Sequence, residues 1–193
     1  MPHRIHALAV AALAAGLALP ALAAAEPALA TWNGHLTFGY AKLFRADAPS
    51  GSLSLGAGVD HAVSGPWRAG AVLGYQLLGS TQSDRGSLTA SVDYSVFDMA
   101  LTASHDLTGR HGLLRLAAGP GLMSARAELS TAGGGALFED LAVNRTAPEL
   151  AVDATWMSGR PHPVRAGLET GMRWGFLPHD VWPMWTTRVA IHY

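Results

Sequence analysis

Serine, histidine and acidic side chains are the groups in this sequence that could assemble an acyl-transfer site. Two adjacent pairs come closest to such a site: Ser104 precedes His105, and Ser83 precedes Asp84. His35 lies at the wrong end of its predicted strand to complete the second pair. The sequence therefore predicts no catalytic residues, and we expect that the protein is not an enzyme.

Metal and cofactor sites are also not predicted. Seven of the nine histidines follow residue 25, and none of them pairs with another at the i,i+2 or i,i+4 spacing of metal ligands. The absence of cysteine excludes a thiolate zinc site and a thiol nucleophile. We expect His35 and His192 to face a polar interior and His105 to lie at a solvated turn.

The charged residues fall on one face of segments that alternate with a period of two. Between Val164 and Phe176, apolar residues alternate with Arg165, Glu169, Arg173 and glycines. This period is typical of β-strands. Nine residues are predicted to form an inward-facing charge network: Asp60, Arg68, Asp93, Arg115, Asp153, Arg165, Glu169, Arg173 and Arg188. Asp98 falls on the same charged face.

Eight such segments are predicted as strands, at residues 32–41, 53–60, 67–77, 88–104, 114–122, 150–156, 164–176 and 185–193. Val96 and Phe97 are adjacent apolar residues, which predicts a β-bulge there. Pro120 is the one residue poorly suited to its strand. Short Gly- and Pro-rich turns alternate with longer connections, which include predicted loops at 79–86 and 125–148, the second being the longest.

The composition and the N-terminus indicate export rather than nucleic-acid binding. The formal net charge is −1, so no nucleic-acid partner is expected. Residues 1–25 combine Arg4 with a long uncharged segment that ends in three alanines, the pattern of a cleavable signal peptide. The sequence therefore predicts two regions, the signal peptide at 1–25 and a single β-domain at 26–193.

Three features predict that the apolar face points outwards into lipid. Glycine is common on the charged face, where small residues suit a narrow barrel interior. Arginines and carboxylates balance on that face, and Lys42 is the only lysine after the signal peptide. The aromatic residues of the apolar face collect at the strand ends, as in the aromatic girdles of membrane barrels.

These features resemble the small eight-stranded outer-membrane β-barrels of Gram-negative bacteria, the OmpA transmembrane domain and OmpX type. The C-terminal residues Val189, Ile191 and Tyr193 are similar to the aromatic-ended signal that assembles this family. The resemblance implies an all-β, antiparallel, up-and-down transmembrane barrel in the cell outer membrane. It also implies contact with the bilayer, lipopolysaccharide and the outer-membrane assembly machinery. Separately, we expect no cofactor.

Function is predicted only as a class. We expect a non-enzymatic barrel with a lumen filled by arginine–carboxylate pairs and a structural or adhesive role through its outer loops. An unknown extracellular partner would bind the loop at 125–148. Three alternatives remain at this point: a small porin, a lipid A acyl-modifying enzyme and a secreted ligand-binding barrel.

Overall fold

A computed structural model describes residues 32–45, 49, 51–85, 88–109, 112–132, 141–158 and 164–193. The predicted signal peptide at 1–25 lies outside these residues.

The described chain folds into eight strands. They are β1 (Trp32–Leu43), β2 (Ser52–Ser64), β3 (Trp67–Arg85), β4 (Leu88–Gly109), β5 (Gly112–Ala132), β6 (Leu141–Ser158), β7 (Arg165–Leu177) and β8 (Asp180–His192). Each strand pairs antiparallel with the next, and β1 pairs with β8 to close a barrel. The predicted eight-stranded up-and-down topology is therefore confirmed. Among the described residues, no helix is long and apolar enough to span a membrane.

The barrel is apolar outside and polar inside. On β7, the Leu168 side chain is 52% exposed while Glu169, the next residue, is 5% exposed. The same alternation places Val189 outside and buries Arg188 in the lumen on β8. A water-soluble barrel has the opposite polarity. The predicted outward apolar face is confirmed, and the alternative of a secreted ligand-binding barrel is excluded.

Aromatic side chains mark the two ends of the apolar band. Trp32 and Tyr193 lie exposed at the rim that holds both ends of the barrel. Tyr40 packs edge-to-face on Trp185 near the other rim, with ring centroids 6.3 Å apart. Because outer-membrane barrels have short periplasmic turns and long outer connections, the rim with the chain ends is the periplasmic one.

The predicted bulge at Val96 and Phe97 is wrong. β4 keeps one register against β5, and the irregularity lies in β3, where pairing with β4 shifts between Leu77 and Gly79. Gly79 has a φ of 89°, a conformation that glycine adopts readily. Val96 is buried in the lumen and Phe97 is exposed outside. The adjacent apolar residues therefore reflect an apolar layer inside the barrel.

Pro120 faces the exterior within β5 without ending the strand. Leu101 and Thr102 of β4 have no partner in the described β5, although the register is the same on both sides of this gap. Proline has no N–H group to donate, which accounts for a local gap in the ladder.

Strands β3 to β6 continue beyond the outer rim, and the predicted loops at 79–86 and 125–148 are largely wrong. β5 runs to Ala132 and β6 begins at Leu141, so only 133–140 of the second loop lies outside the described residues. β4 has 22 residues, about twice the 9–11 needed to cross a bilayer. We call residues 77–85, 88–95, 123–132 and 141–148 the extension; its innermost residues still face the outer end of the lumen.

Candidate functional site

The periplasmic half of the lumen contains one branched ion-pair cluster. Asp60 accepts hydrogen bonds from Arg68 and, at 2.8 Å, from Nη1 of Arg115. The same Arg115 donates from Nε and Nη2 to the two carboxylate oxygens of Asp106, at 2.6 and 2.9 Å. This two-bond geometry fixes the guanidinium between strands β2 and β4.

A second cluster fills the middle of the lumen around Arg173. Its guanidinium donates to Asp153 at 2.8 Å and to Asp98 at 3.3 Å. The Gln76 amide donates to the other oxygen of Asp98 at 2.7 Å. Arg173 and its partners therefore join β3, β4, β6 and β7 across the barrel.

Arg188 extends the central cluster towards β8. Its Nη2 lies 2.7 Å from Glu169 and 3.7 Å from Asp153. The hydroxyl of Thr155 also donates to Glu169, at 3.3 Å. The residues of this cluster are buried, so each charge depends on these partners rather than on bulk water.

Inward-facing glycines make room for these side chains. A Cβ atom at Gly171 would lie 2.0 Å from Oδ1 of Asp153, and one at Gly74 would lie 2.3 Å from Oδ2 of Asp98. A larger residue at either position would displace a carboxylate of the central cluster.

An apolar layer closes the lumen above the charged clusters, on the outer side. It consists of Ala41, Leu43, Leu78, Val96, Met123, Ala125 and Met184, with Tyr94 and Trp182 packed against it. All seven buried members lie on the inward face of strands that are otherwise polar inside. The lumen is therefore filled by ion pairs below and by aliphatic side chains above.

Seven of the nine predicted network residues form the ion pairs described above. Asp93 does not: it is exposed on the outer face of the extension, opposite Glu128 of β5, so its placement in the lumen is wrong. Arg165 faces the lumen, and within the described residues it makes no ion pair.

Sequence reasoning missed two lumen carboxylates. Asp106 lies directly opposite Arg115 across the β4–β5 hairpin, and continuing the β4 alternation by one more residue pair would have found it. Glu149 is buried at the start of the membrane portion of β6, one residue before the predicted strand. Neither of its carboxylate oxygens has a hydrogen-bond partner among the described residues.

The histidines and the C-terminal residues take distinct positions. His35 and His192 lie opposite each other on β1 and β8 inside the barrel, with ring centroids 5.0 Å apart. Val189, Ile191 and Tyr193 are exposed on the lipid-facing side. Within the described ranges, no three metal-ligating side chains are grouped together.

The serine and histidine that could have formed a catalytic pair lie on opposite sides of the barrel wall. Ser104 is buried in the lumen, whereas His105 packs on Trp67 at the exterior, with ring centroids 4.7 Å apart. Ser83 and Asp84 are exposed in the extension. Neither pair is joined to a third catalytic group in the described structure.

Comparison with known proteins identifies the fold alone. No protein-family model matches the chain, and no curated protein sequence is significantly similar to it. The structure of Neisserial surface protein A (NspA) has a TM-score of 0.58 and 12% identity, covering 84% of this chain and 97% of that one.

Two further solved structures are similar at lower scores. Ail of Yersinia pestis, in complex with the heparin analogue sucrose octasulfate, has a TM-score of 0.49 and 10% identity over 85% of this chain and 97% of its own. The N-terminal β-barrel domain of Pseudomonas aeruginosa OprF has a TM-score of 0.46 and 9% identity, over 83% and 97%. The closed ring, its inverted polarity and the likeness to NspA together identify the fold as that of the small eight-stranded outer-membrane β-barrels.

Proposed function

We propose that this chain is a non-enzymatic, non-conducting barrel of the outer membrane that presents the extension to partners outside the cell. The observation that carries this proposal is the extension itself. Strands β3 to β6 continue past the bilayer as a four-stranded sheet, while β7 and β8 turn back at Leu177 and Asp180.

The extension has two free edges. Pairing of β2 with β3 ends at Ser54 and Gln76, and pairing of β6 with β7 ends at Glu149 and Gly175. Beyond these points β3 and β6 are each paired on one side only within the described chain. An exposed sheet edge offers backbone N–H and C=O groups to an added strand. This supports an interaction role carried by strands rather than by loops.

The filled lumen favours a closed barrel over a porin. Eight strands enclose an interior just wide enough for side chains. The Arg173 guanidinium and its two carboxylate partners occupy the centre, and the apolar layer lies above them. The charge network therefore has a structural role in this proposal, which is to hold the barrel closed.

Two kinds of contact complete the proposed role. The apolar exterior contacts the bilayer and the lipid chains of lipopolysaccharide. The exposed Val189, Ile191 and Tyr193 serve as the recognition signal for the outer-membrane assembly machinery. The separation of Ser104 from His105 supports the absence of catalysis, and unchanged lipid A mass profiles on expression are the expected result.

Planar-bilayer recordings of the refolded protein test the closed lumen. We expect no conductance steps from the wild type, and none from Arg173→Ala, because the apolar layer still closes the lumen in that variant. Wild-type steps that vanish or change selectivity in Arg173→Ala would show an open pore and overturn this part of the proposal.

Surface display tests the interaction role. A variant in which an Asn-Gly turn replaces 127–143 joins Arg126 to Asn144, which are paired in the native hairpin, and so removes the β5–β6 part of the tip of the extension. We expect cells that display the wild type to adhere to epithelial cells or matrix-coated surfaces, and cells that display the trimmed barrel at equal abundance to lose adhesion. Equal adhesion of both, or none above the empty-vector strain for either, contradicts the proposal.

A further inference from the structure

A cavity of about 320 Å³ lies inside the outer mouth of the barrel, directly above the apolar layer. Its floor is aliphatic and is formed by Leu43, Leu78, Val96 and Ala125, all of which are buried. We call this cavity the vestibule. Because water gains little from contact with such a floor, an apolar group would replace it favourably.

Three arginines line the vestibule, in different situations. Arg126 forms an ion pair with Glu128. Arg45 forms an ion pair with Asp180 and lies over the Trp182 ring, 5.1 Å from its centroid. The Trp182 indole donates to the same carboxylate at 3.0 Å. This arrangement holds one wall of the vestibule rigid and leaves Arg45 neutralised.

Arg145 is the third arginine of the rim, and it has no counter-charge among the described residues. It lies on β6 directly opposite Ala125, so its side chain begins beside the apolar floor. In the described portions of the chain, Arg145 has no hydrogen bond and no ion pair. A positive charge without a counter-charge therefore adjoins an empty aliphatic surface.

The barrel wall leaves the vestibule accessible from one side. The part of β6 above Glu149 has no partner in the described β7, and the β7–β8 turn at Pro178 and His179 lines the cavity. A ligand can enter through this gap without passing through the bilayer core.

The geometry points to a binding site for a single-chain organic anion, with its hydrocarbon part on the floor of the vestibule and its carboxylate on Arg145. A water molecule occupies about 30 Å³ in the liquid, so the volume has room for about ten non-hydrogen atoms. That is one medium-length chain; a two-chain membrane lipid does not fit. The inference rests on the closed lumen proposed above, because the apolar layer is the floor of the site.

The test uses the full barrel in nanodiscs of zwitterionic lipid, labelled with 5-fluorotryptophan, with the Trp182 resonance assigned from Trp182→Phe. Decanoate is the probe, and 1-decanol is the neutral control of equal chain length. We expect decanoate to shift the Trp182 resonance saturably, and to do so at a concentration at least tenfold lower than decanol requires.

Arg145→Gln is the specific variant. Arg165→Gln is its matched control because Arg165 faces the lumen near the periplasmic rim, does not line the vestibule and makes no ion pair within the described residues. Arg145→Gln is expected to weaken decanoate binding about tenfold and leave decanol binding unchanged, while Arg165→Gln leaves both unchanged. Ala125→Phe, which fills the floor, is expected to abolish both.

Three results would overturn the inference: no saturable shift in a barrel shown to be non-conducting, equal binding of decanoate by wild type and Arg145→Gln, or an equal shift produced by phosphatidylglycerol nanodiscs without decanoate. Conductance of the unliganded wild type would instead refute the closed lumen. The two failures are therefore distinguishable.

Discussion

Removing the Arg173 side chain is the most informative perturbation of the lumen. Arg173 is 1% exposed and contacts both Asp98 and Asp153, which are themselves buried. Arg173→Met keeps much of the side-chain volume but leaves two carboxylates without their cationic partner. Breaking one side of a buried ion pair costs about 3–5 kcal/mol, so we expect the free energy of unfolding to fall by about that amount.

A triple variant separates the effect of charge pairing from the effect of packing. Replacing a whole buried ion-pair group by neutral residues of similar volume is often close to neutral. The triple variant Arg173→Met, Asp98→Asn, Asp153→Asn should therefore recover most of the stability that Arg173→Met loses. Arg126→Met is the control, since Arg126 pairs with Glu128 on the exposed face of the extension and should cost less than about 1 kcal/mol.

The measurement is urea unfolding of each variant refolded in phospholipid vesicles, followed by tryptophan fluorescence and by the heat-dependent mobility of the folded barrel on gels. If Arg173→Met is no more destabilising than Arg126→Met, the central cluster does not contribute to stability as argued. A triple variant as unstable as the single one would mean that shape, not charge pairing, sets the cost.

Three further predictions use the same unfolding measurement. Gly171→Ala should destabilise the barrel by about 1–3 kcal/mol, because the added Cβ would lie 2.0 Å from Oδ1 of Asp153; an unchanged midpoint would contradict this packing. Leu101→Arg places a charge on the lipid-facing side and should cost about 2–4 kcal/mol near the bilayer midplane. An arginine introduced at a water-exposed position of the extension should lack this penalty, and equal costs at the two places would contradict the lipid-facing position of Leu101. Asp106→Asn should lower stability by about 1.5–3 kcal/mol, whereas Asp93→Asn should change it by less than about 0.5 kcal/mol; equal effects would place both residues in the same environment.

The strand pattern was predictable because it depends on neighbours in sequence. Alternation with a period of two marks each strand wherever one side meets lipid and the other meets a polar lumen. Leu168 and Glu169 show this directly, since adjacent residues must point to opposite faces. The balance of arginine and carboxylate, with glycine beside them, also indicated which face is inside.

The same reasoning failed where the environment of a strand changes along its length. Val96 and Phe97 suggested a bulge because the lumen was expected to be polar throughout, yet the outer part of the lumen is apolar. The extension was predicted as loop because its alternation is weaker once both faces meet water. The misplacement of Asp93 has a related cause. The bulge predicted at Val96 and Phe97 would put Asp93 on the lumen face of β4, but β4 has no such bulge.

The sequence by itself determined the eight-stranded barrel, its inverted polarity and the residue types that fill its lumen. Only the tertiary structure decided which charges meet, because Arg115 reaches Asp60 across 55 residues of sequence and Arg173 reaches Asp98 across 75. The tertiary structure also placed Arg145, which has no ion pair within the described residues, beside the apolar layer. Periodicity reports the face of each residue, but the register between strands sets its height in the barrel, and both are needed to bring two side chains together.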